Sequence, residues 1–252
     1  MSHTYARAPS VRFFSGESVG NLPCQMLISL RAEAMEIGEG RGPAGEQLNV
    51  LLIEAGLDPL TSAQAAHFEN YLSLLLHWNA RVNLTAVRDE EGILSRHFVE
   101  SIACARALPA GIATLLDFGS GAGFPGIPIA LCRPEIAVML AESQGKKAAF
   151  LREAVRTLGI SAKVHSGRAE AMEERFNCVA LRAVDRMQQA VQAASQLVSP
   201  AGWLALMTSA NELPFLQATA GQDWSWAEPV LLPGSQARLI ALGARISMRI
   251  RA

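Results

Sequence analysis

The residue types best suited to chemistry fall in one short run. Leu115 and Leu116 lead into Asp117, glycines stand at positions 119, 121, 123 and 126, and the apolar stretch Ile127 to Cys132 follows. An apolar strand, a glycine-packed turn and a helix start together form the mouth of a nucleotide-cofactor site, because backbone N–H groups at such a turn point at the ligand. Side chains there would hold the ligand off the backbone, which is why glycines are needed.

The turn parses in two ways. Gly121, Gly123 and Gly126 satisfy G-x-G-x-x-G, the dinucleotide pattern of an NAD(P)-dependent oxidoreductase. Gly119, Gly121 and Gly123 satisfy G-x-G-x-G, the looser turn of S-adenosylmethionine methyltransferases. Three features favour the second. Asp117 ends the first strand just before the glycines, Glu142 ends the second strand where it can accept from both ribose hydroxyls, and Arg168-Ala169-Glu170 follows the third. Glu142 alone suits either cofactor. Asp117, Gly119, Ser120, Gly121, Gly123 and Phe124 are expected on the methionine side, Glu142 at the ribose, and Ala169 with Glu170 at the adenine. Arg182 ends the fourth strand, where residues of a parallel sheet face the ligand crevice. It is expected between cofactor and substrate; the bland alternative is a surface ion pair with Asp185.

The elements that must hold these residues show in the periodicity. Thr61 can cap a helix whose apolar residues Ala65, Phe68, Leu72, Leu75 and Leu76 share one face. A second helix is expected from about Asp89 to Leu108, with acids in its first turn. From residue 113 strands and helices alternate. Strands are expected at Ala113–Asp117, Ile136–Ala141, Ala162–His165, Cys178–Arg182, Trp203–Thr208, near Val230 and at Leu239–Leu242, with helices over Gln144–Leu158 and Met187–Leu197. This pattern predicts an α/β fold with a seven-stranded, mostly parallel sheet. The expected division is a poorly ordered extension over 1–45 with one short helix near 24–37, a helical region over 46–112, and a cofactor-binding domain over 113–252.

Bulk properties narrow the function class. The 252 residues are 50% hydrophobic with a net charge of −1, which counts against a general nucleic-acid binder. The charge is uneven, however. Residues 235–252 hold Arg238, Arg245, Arg249 and Arg251 and no acid, so a local basic face remains open. No apolar run is long enough to span a membrane. The cysteines at 24, 104, 132 and 178 form no C-x-x-C pair, which fits reduced thiols in a cytoplasmic protein. The histidine spacing supports no metal site. Arg7 and Arg12 in an acid-free start give a faint transit-peptide character; initiation at Met26 or Met35 is the rival reading.

Four ordered motifs then carry a resemblance. Trp78-Asn79-Ala80-Arg81-Val82-Asn83-Leu84-Thr85, Arg96-His97-Phe98-Val99-Glu100-Ser101, the glycine turn with its G-F-P-G-I-P tail, and Leu181-Arg182-Ala183 occur in this order. The chain thereby resembles the bacterial small-subunit rRNA guanine-nitrogen-7 methyltransferases, also called glucose-inhibited division protein B, over roughly 48–243. The resemblance implies a class I, Rossmann-like methyltransferase fold with S-adenosylmethionine as cofactor. It also implies action on a guanine of 16S rRNA in the small ribosomal subunit, with Asn83, His97 and Arg182 on the substrate side; a monomer is expected, although the sequence does not fix the oligomeric state. The chain departs from the family at Glu142-Ser143 (usually Asp-Ser), at Leu181 (usually Ser), at Met207-Thr208 (usually Lys-Gly) and at Ala237-Arg238 (usually Arg-His). The missing lysine and the near-neutral charge leave a second alternative open, a non-enzymatic RNA-binding or assembly factor that kept the fold.

Overall fold

The computed structural model of the chain describes residues 42–246. The helix expected near 24–37, nearly all of the 1–45 extension, Cys24, Arg249 and Arg251 lie outside the described residues.

Helices come first. Helix α1 (Ala44–Glu54) packs on α2 (Ser62–Asn79). Helix α2 starts where Thr61 and Gln64 exchange a capping box, and it buries Phe68, Tyr71, Leu72 and Leu75 on one face. The second expected helix is present but not uniform. It runs as α3 (Glu90–Gly92), a π-helical stretch (Ile93–Val99) and α4 (Glu100–Ala107). Asp89 caps it by accepting from the Gly92 N–H at 2.6 Å. Wide turns of this kind often mark functional positions, and this one carries Arg96 and His97.

Strands and helices then alternate as β1 (Thr114–Phe118), α5 (Gly126–Cys132), β2 (Ala137–Glu142), α6 (Gly145–Leu158), β3 (Ala162–Ser166) and β4 (Phe176–Arg182). They continue as α7 (Met187–Leu197), β5 (Val198–Ser209), α8 (Leu213–Ala220), β6 (Trp224–Trp226), β7 (Val230–Leu231) and β8 (Arg238–Arg245). Seven strands are expected from sequence; the sheet has eight, ordered β3-β2-β1-β4-β5-β8-β6 with β7 also paired to β8. The extra one is β6, too short to show a period. Strands β3 through β5 run parallel and β8 is antiparallel to β5.

Both sheet faces are covered. One carries the helices of 44–107 together with α5 and α6 in a single core that includes Leu48, Phe98, Leu115, Ile127, Leu140 and Phe150. The other carries α7 and α8 over Leu116, Phe118, Val179, Leu181 and Leu206. The strand order reverses between β1 and β4, and in open α/β sheets the ligand crevice lies at the carboxyl ends of such a pair.

Candidate functional site

A cavity of about 1010 Å³ opens over that switch point. Its wall combines the glycine turn, the ends of β2 and β4, the loops after β3, β4 and β5, and the π-helical stretch.

The glycine turn sits at one end. Gly119 and Gly121 have φ of 76° and 57°, a region that side-chain-bearing residues rarely adopt. A Cβ on Gly121 would meet only the Gly119 carbonyl, at 3.9 Å, so it would project into open space. The turn is pinned from β2: Gly119 and Ser120 donate N–H bonds to the Ala141 carbonyl at 3.1 and 2.9 Å. Glu142 closes the arrangement. One carboxylate oxygen accepts from the Gly121 N–H at 2.9 Å and the other from the Gln144 N–H at 2.7 Å. Glu142 is buried, yet it lines the cavity with Ala169 and Glu170 of the 3-10 turn Ala169–Ala171.

Asp117 and Gly123 do not line the cavity, against expectation. Alternation along β1 puts Asp117 with Leu115 on the α5 face of the sheet, opposite Leu116 and Phe118. There it accepts from the Gly126 N–H at 3.0 Å, and a Cβ on Gly126 would fall 2.6 Å from the same oxygen. Gly123 lies against Ile127 and the Tyr71 hydroxyl, where a Cβ would come within 2.5 and 2.8 Å. Both residues shape the turn from behind.

Burial also sets the titration of Asp117. Its second oxygen has no partner, since the Ser120 hydroxyl donates to the Asp117 main-chain carbonyl, and loss of solvent raises its pKa to about 7 despite the bond from Gly126. A carboxyl raised on folding adds stability that is complete below its unfolded pKa of about 4 and is lost as pH climbs through the folded value. Asparagine has no proton to lose. The stability of Asp117→Asn minus that of the wild type is therefore expected to rise by at least about 1.4 kcal/mol between pH 4.5 and 7.5, the equivalent of one pKa unit. Urea titrations at the two pH values measure this; a difference that stays flat would refute it.

At the other end, Arg182 projects from the last position of β4. Its partner is Glu100 of α4, at 2.8 Å, and not Asp185. The same guanidinium donates to the Arg96 carbonyl at 2.6 Å and to the Ser101 hydroxyl at 3.4 Å, and lies 5.8 Å from the Phe124 ring centre. Burial disfavours its charge; the Glu100 carboxylate restores it. Glu100 is only 2% exposed and takes a second arginine, Arg238 of β8, through bonds of 2.9 and 2.7 Å to its other oxygen. This Arg182–Glu100–Arg238 cluster was not singled out from sequence. The available signal was an acid at position 100 amid the buried face of a helix.

His97 stacks on Phe124 at 4.8 Å, and its Nε2 lies 2.7 Å from the Thr85 hydroxyl. Its Nδ1 is buried without a partner. Burial, followed by the charges of Arg182 and Arg96, lowers its pKa to about 3, so the ring is neutral near pH 7. Asn83 is exposed and lies outside the cavity, accepting from Arg88 at 3.1 Å. Its motif neighbour Asn79 is the structural one: buried, it accepts from the Leu84 and Thr85 N–H groups at 2.9 and 3.1 Å and so holds the loop that carries Thr85. Cys178 is fully buried in the sheet, with its thiol pushed well up by desolvation, so it offers no nucleophile. Among the described residues there is no cluster of side chains fit to hold a metal ion, and no helix is long and apolar enough to cross a membrane.

Comparison with known proteins agrees with this geometry. Residues 64–221 match the family model described as rRNA small subunit methyltransferase G. Proteins named ribosomal RNA small subunit methyltransferase G from Xanthomonas euvesicatoria and Roseiflexus are 39% and 35% identical, covering 72% and 77% of this chain and 88% of each relative. One from Stenotrophomonas maltophilia is 42% identical over 73% of this chain and 86% of its own. Among solved structures, a methyltransferase from Pyrococcus furiosus matches 71% of this chain and all of its own, with a TM-score of 0.53 at 12% identity. A SAM-dependent methyltransferase from Aquifex aeolicus covers 62% of this chain and 93% of its own, at TM-score 0.50 and 14% identity. These two likenesses establish the class I methyltransferase fold.

Proposed function

The chain belongs to the rRNA small subunit methyltransferase G family, and on that premise we propose that it transfers the methyl group of S-adenosylmethionine to nitrogen-7 of a guanine in 16S rRNA. The observation that carries this is a single cavity shared by the glycine turn, Glu142, Phe124, His97 and Arg182.

The residues at the glycine end fit the cofactor. Gly119, Ser120, Gly121 and Phe124 would hold its methionine part, Glu142 its ribose hydroxyls, and Ala169 with Glu170 its adenine. The wall is open where a side chain at 121 would stand, as close approach of a ligand to backbone requires. S-adenosylmethionine supplies an electrophilic sulfonium methyl group.

The protein's remaining task is small. Guanine nitrogen-7 carries a lone pair and no proton, so no base has to act. A neutral His97 and a buried, protonated Cys178 suit that chemistry. With its bonds to Glu100, Arg96 and Ser101 made, Arg182 serves as a fixed charge beside Phe124 rather than a free clamp. Catalysis then rests on in-line positioning, worth about 7–11 kcal/mol at best, and on preset dipoles around the migrating charge.

Small ribosomal subunits lacking the modification, incubated with this protein and tritiated S-adenosylmethionine, are expected to take up label at one guanine located by mass mapping. Cofactor binding by calorimetry without any label would favour the non-enzymatic factor. Binding of NADH with no response to S-adenosylmethionine would favour the oxidoreductase.

A further inference from the structure

A second space adjoins the cavity. A side pocket of about 310 Å³ lies between the first turn of α7 and helix α8. Arg186, Met187, Gln189 and Glu212 line both spaces, so the two are neighbours that share a wall, and only the larger one is lined by Gly121 and Glu142. The side pocket adds Gln188, Leu216 and Phe215. Phe215 is 65% exposed, more than any other large apolar side chain among the described residues, whereas its neighbour Leu216 is buried. A lone apolar residue on a surface is ordinary. This one lines a pocket that shares a wall with the main cavity.

The lining is mixed: the Glu212 carboxylate is held by the Thr208 and Ser209 hydroxyls at 3.1 and 3.0 Å, and the other groups suit a base. Phe215 offers a flat aromatic face, Met187 a polarisable thioether, and Gln188, Gln189 and Arg186 offer amide and guanidinium groups. The loop that presents them holds Ala183 and Arg186 at φ of 49° and 54°, strained for residues with side chains. A stacking face ringed by hydrogen-bonding edges is how proteins take up unpaired nucleobases. The volume sits at the lower end of ligand pockets, which begin near about 300 Å³, and suits one base.

We propose that this pocket holds the base of a nucleotide flanking the target guanosine, stacked on Phe215. The proposal rests on the reading of the main cavity as the RNA methylation site, and it gives that site a second point of grip on the strand.

The test compares wild type, Phe215→Ala and Phe215→Trp for retention of naked small-subunit rRNA and of small subunits on filters, and for KM in methyl transfer. For Phe215→Ala the affinity for naked rRNA is expected to fall, and KM for subunits to rise, by about tenfold or more, as loss of one base stack requires. The S-adenosylmethionine Kd and the melting temperature stay unchanged, and Phe215→Trp retains wild-type values. Unchanged rRNA affinity in Phe215→Ala overturns the proposal, as does wild type that does not retain rRNA. Loss of affinity for subunits alone would put a protein on Phe215 and overturn it too. The filter assay needs no methyl transfer, so a wild type that holds rRNA through Phe215 but transfers no label would sink the enzymatic reading and leave the stack standing.

Discussion

Replacing Glu142 with alanine is expected to weaken S-adenosylmethionine binding by about 100-fold or more while the protein stays folded. The carboxylate has two jobs at once. It fixes the Gly121 and Gln144 N–H groups through bonds of 2.9 and 2.7 Å, and on the proposed reading it would also present acceptors to the ribose. Hydrogen bonds to a charged group contribute roughly 1.5–3 kcal/mol each, so losing the ribose contacts and loosening the turn together costs on the order of 3 kcal/mol in binding, about two powers of ten in Kd at 1.4 kcal/mol per decade. The fold survives because the cavity beside Glu142 lets water reach the two freed N–H groups. Calorimetric titration reads the loss directly. Glu142→Gln, which keeps one acceptor, should fall between the two. An alanine variant that binds within about fivefold of wild type would remove Glu142 from the cofactor site.

The second large effect concerns stability. Glu100→Ala leaves Arg182, whose side chain is only 12% exposed, without its counter-charge. Stripping one partner from a buried ion pair costs roughly 3–5 kcal/mol, and at 2–4 °C per kcal/mol for a domain of this size the melting temperature should drop by about 6–20 °C. Removing Arg238 instead should cost far less, because its side chain is 39% exposed and the Arg182–Glu100 pair remains. The double variant Glu100→Ala with Arg182→Met should regain much of the lost stability, since no stranded charge is left, yet show no methyl transfer. Melting curves for the three proteins decide the matter. Equal drops for Glu100→Ala and Arg238→Ala would show that desolvation of Arg182 is not the dominant cost.

Much of this site is legible in the sequence because its cofactor half is local. Leu115 through Cys132 encode strand, turn and helix within one stretch, and Glu142 and Arg182 reach the cavity because each ends its strand. The errors have physical causes. Asp117 is expected in the crevice, but it alternates with Leu116 and Phe118 and so shares the face of Leu115, where it accepts from the Gly126 N–H; with a period of two, neighbouring positions point to opposite faces. Glu100 escaped because its partners lie 82 and 138 positions away, beyond any local pattern. Asn83 and Asn79 sit in one motif, and only three-dimensional context shows that Asn79 is the one that braces the loop.

The arginine pair on Glu100 also joins parts of the chain that are made at different times during synthesis. The helix with Glu100 and the strand with Arg182 leave the ribosome well before position 238, and β8 must then slot between β5 and β6 to bring its guanidinium home. A nascent chain still short of that strand lacks both the sheet's antiparallel seam and one wall of the reaction chamber.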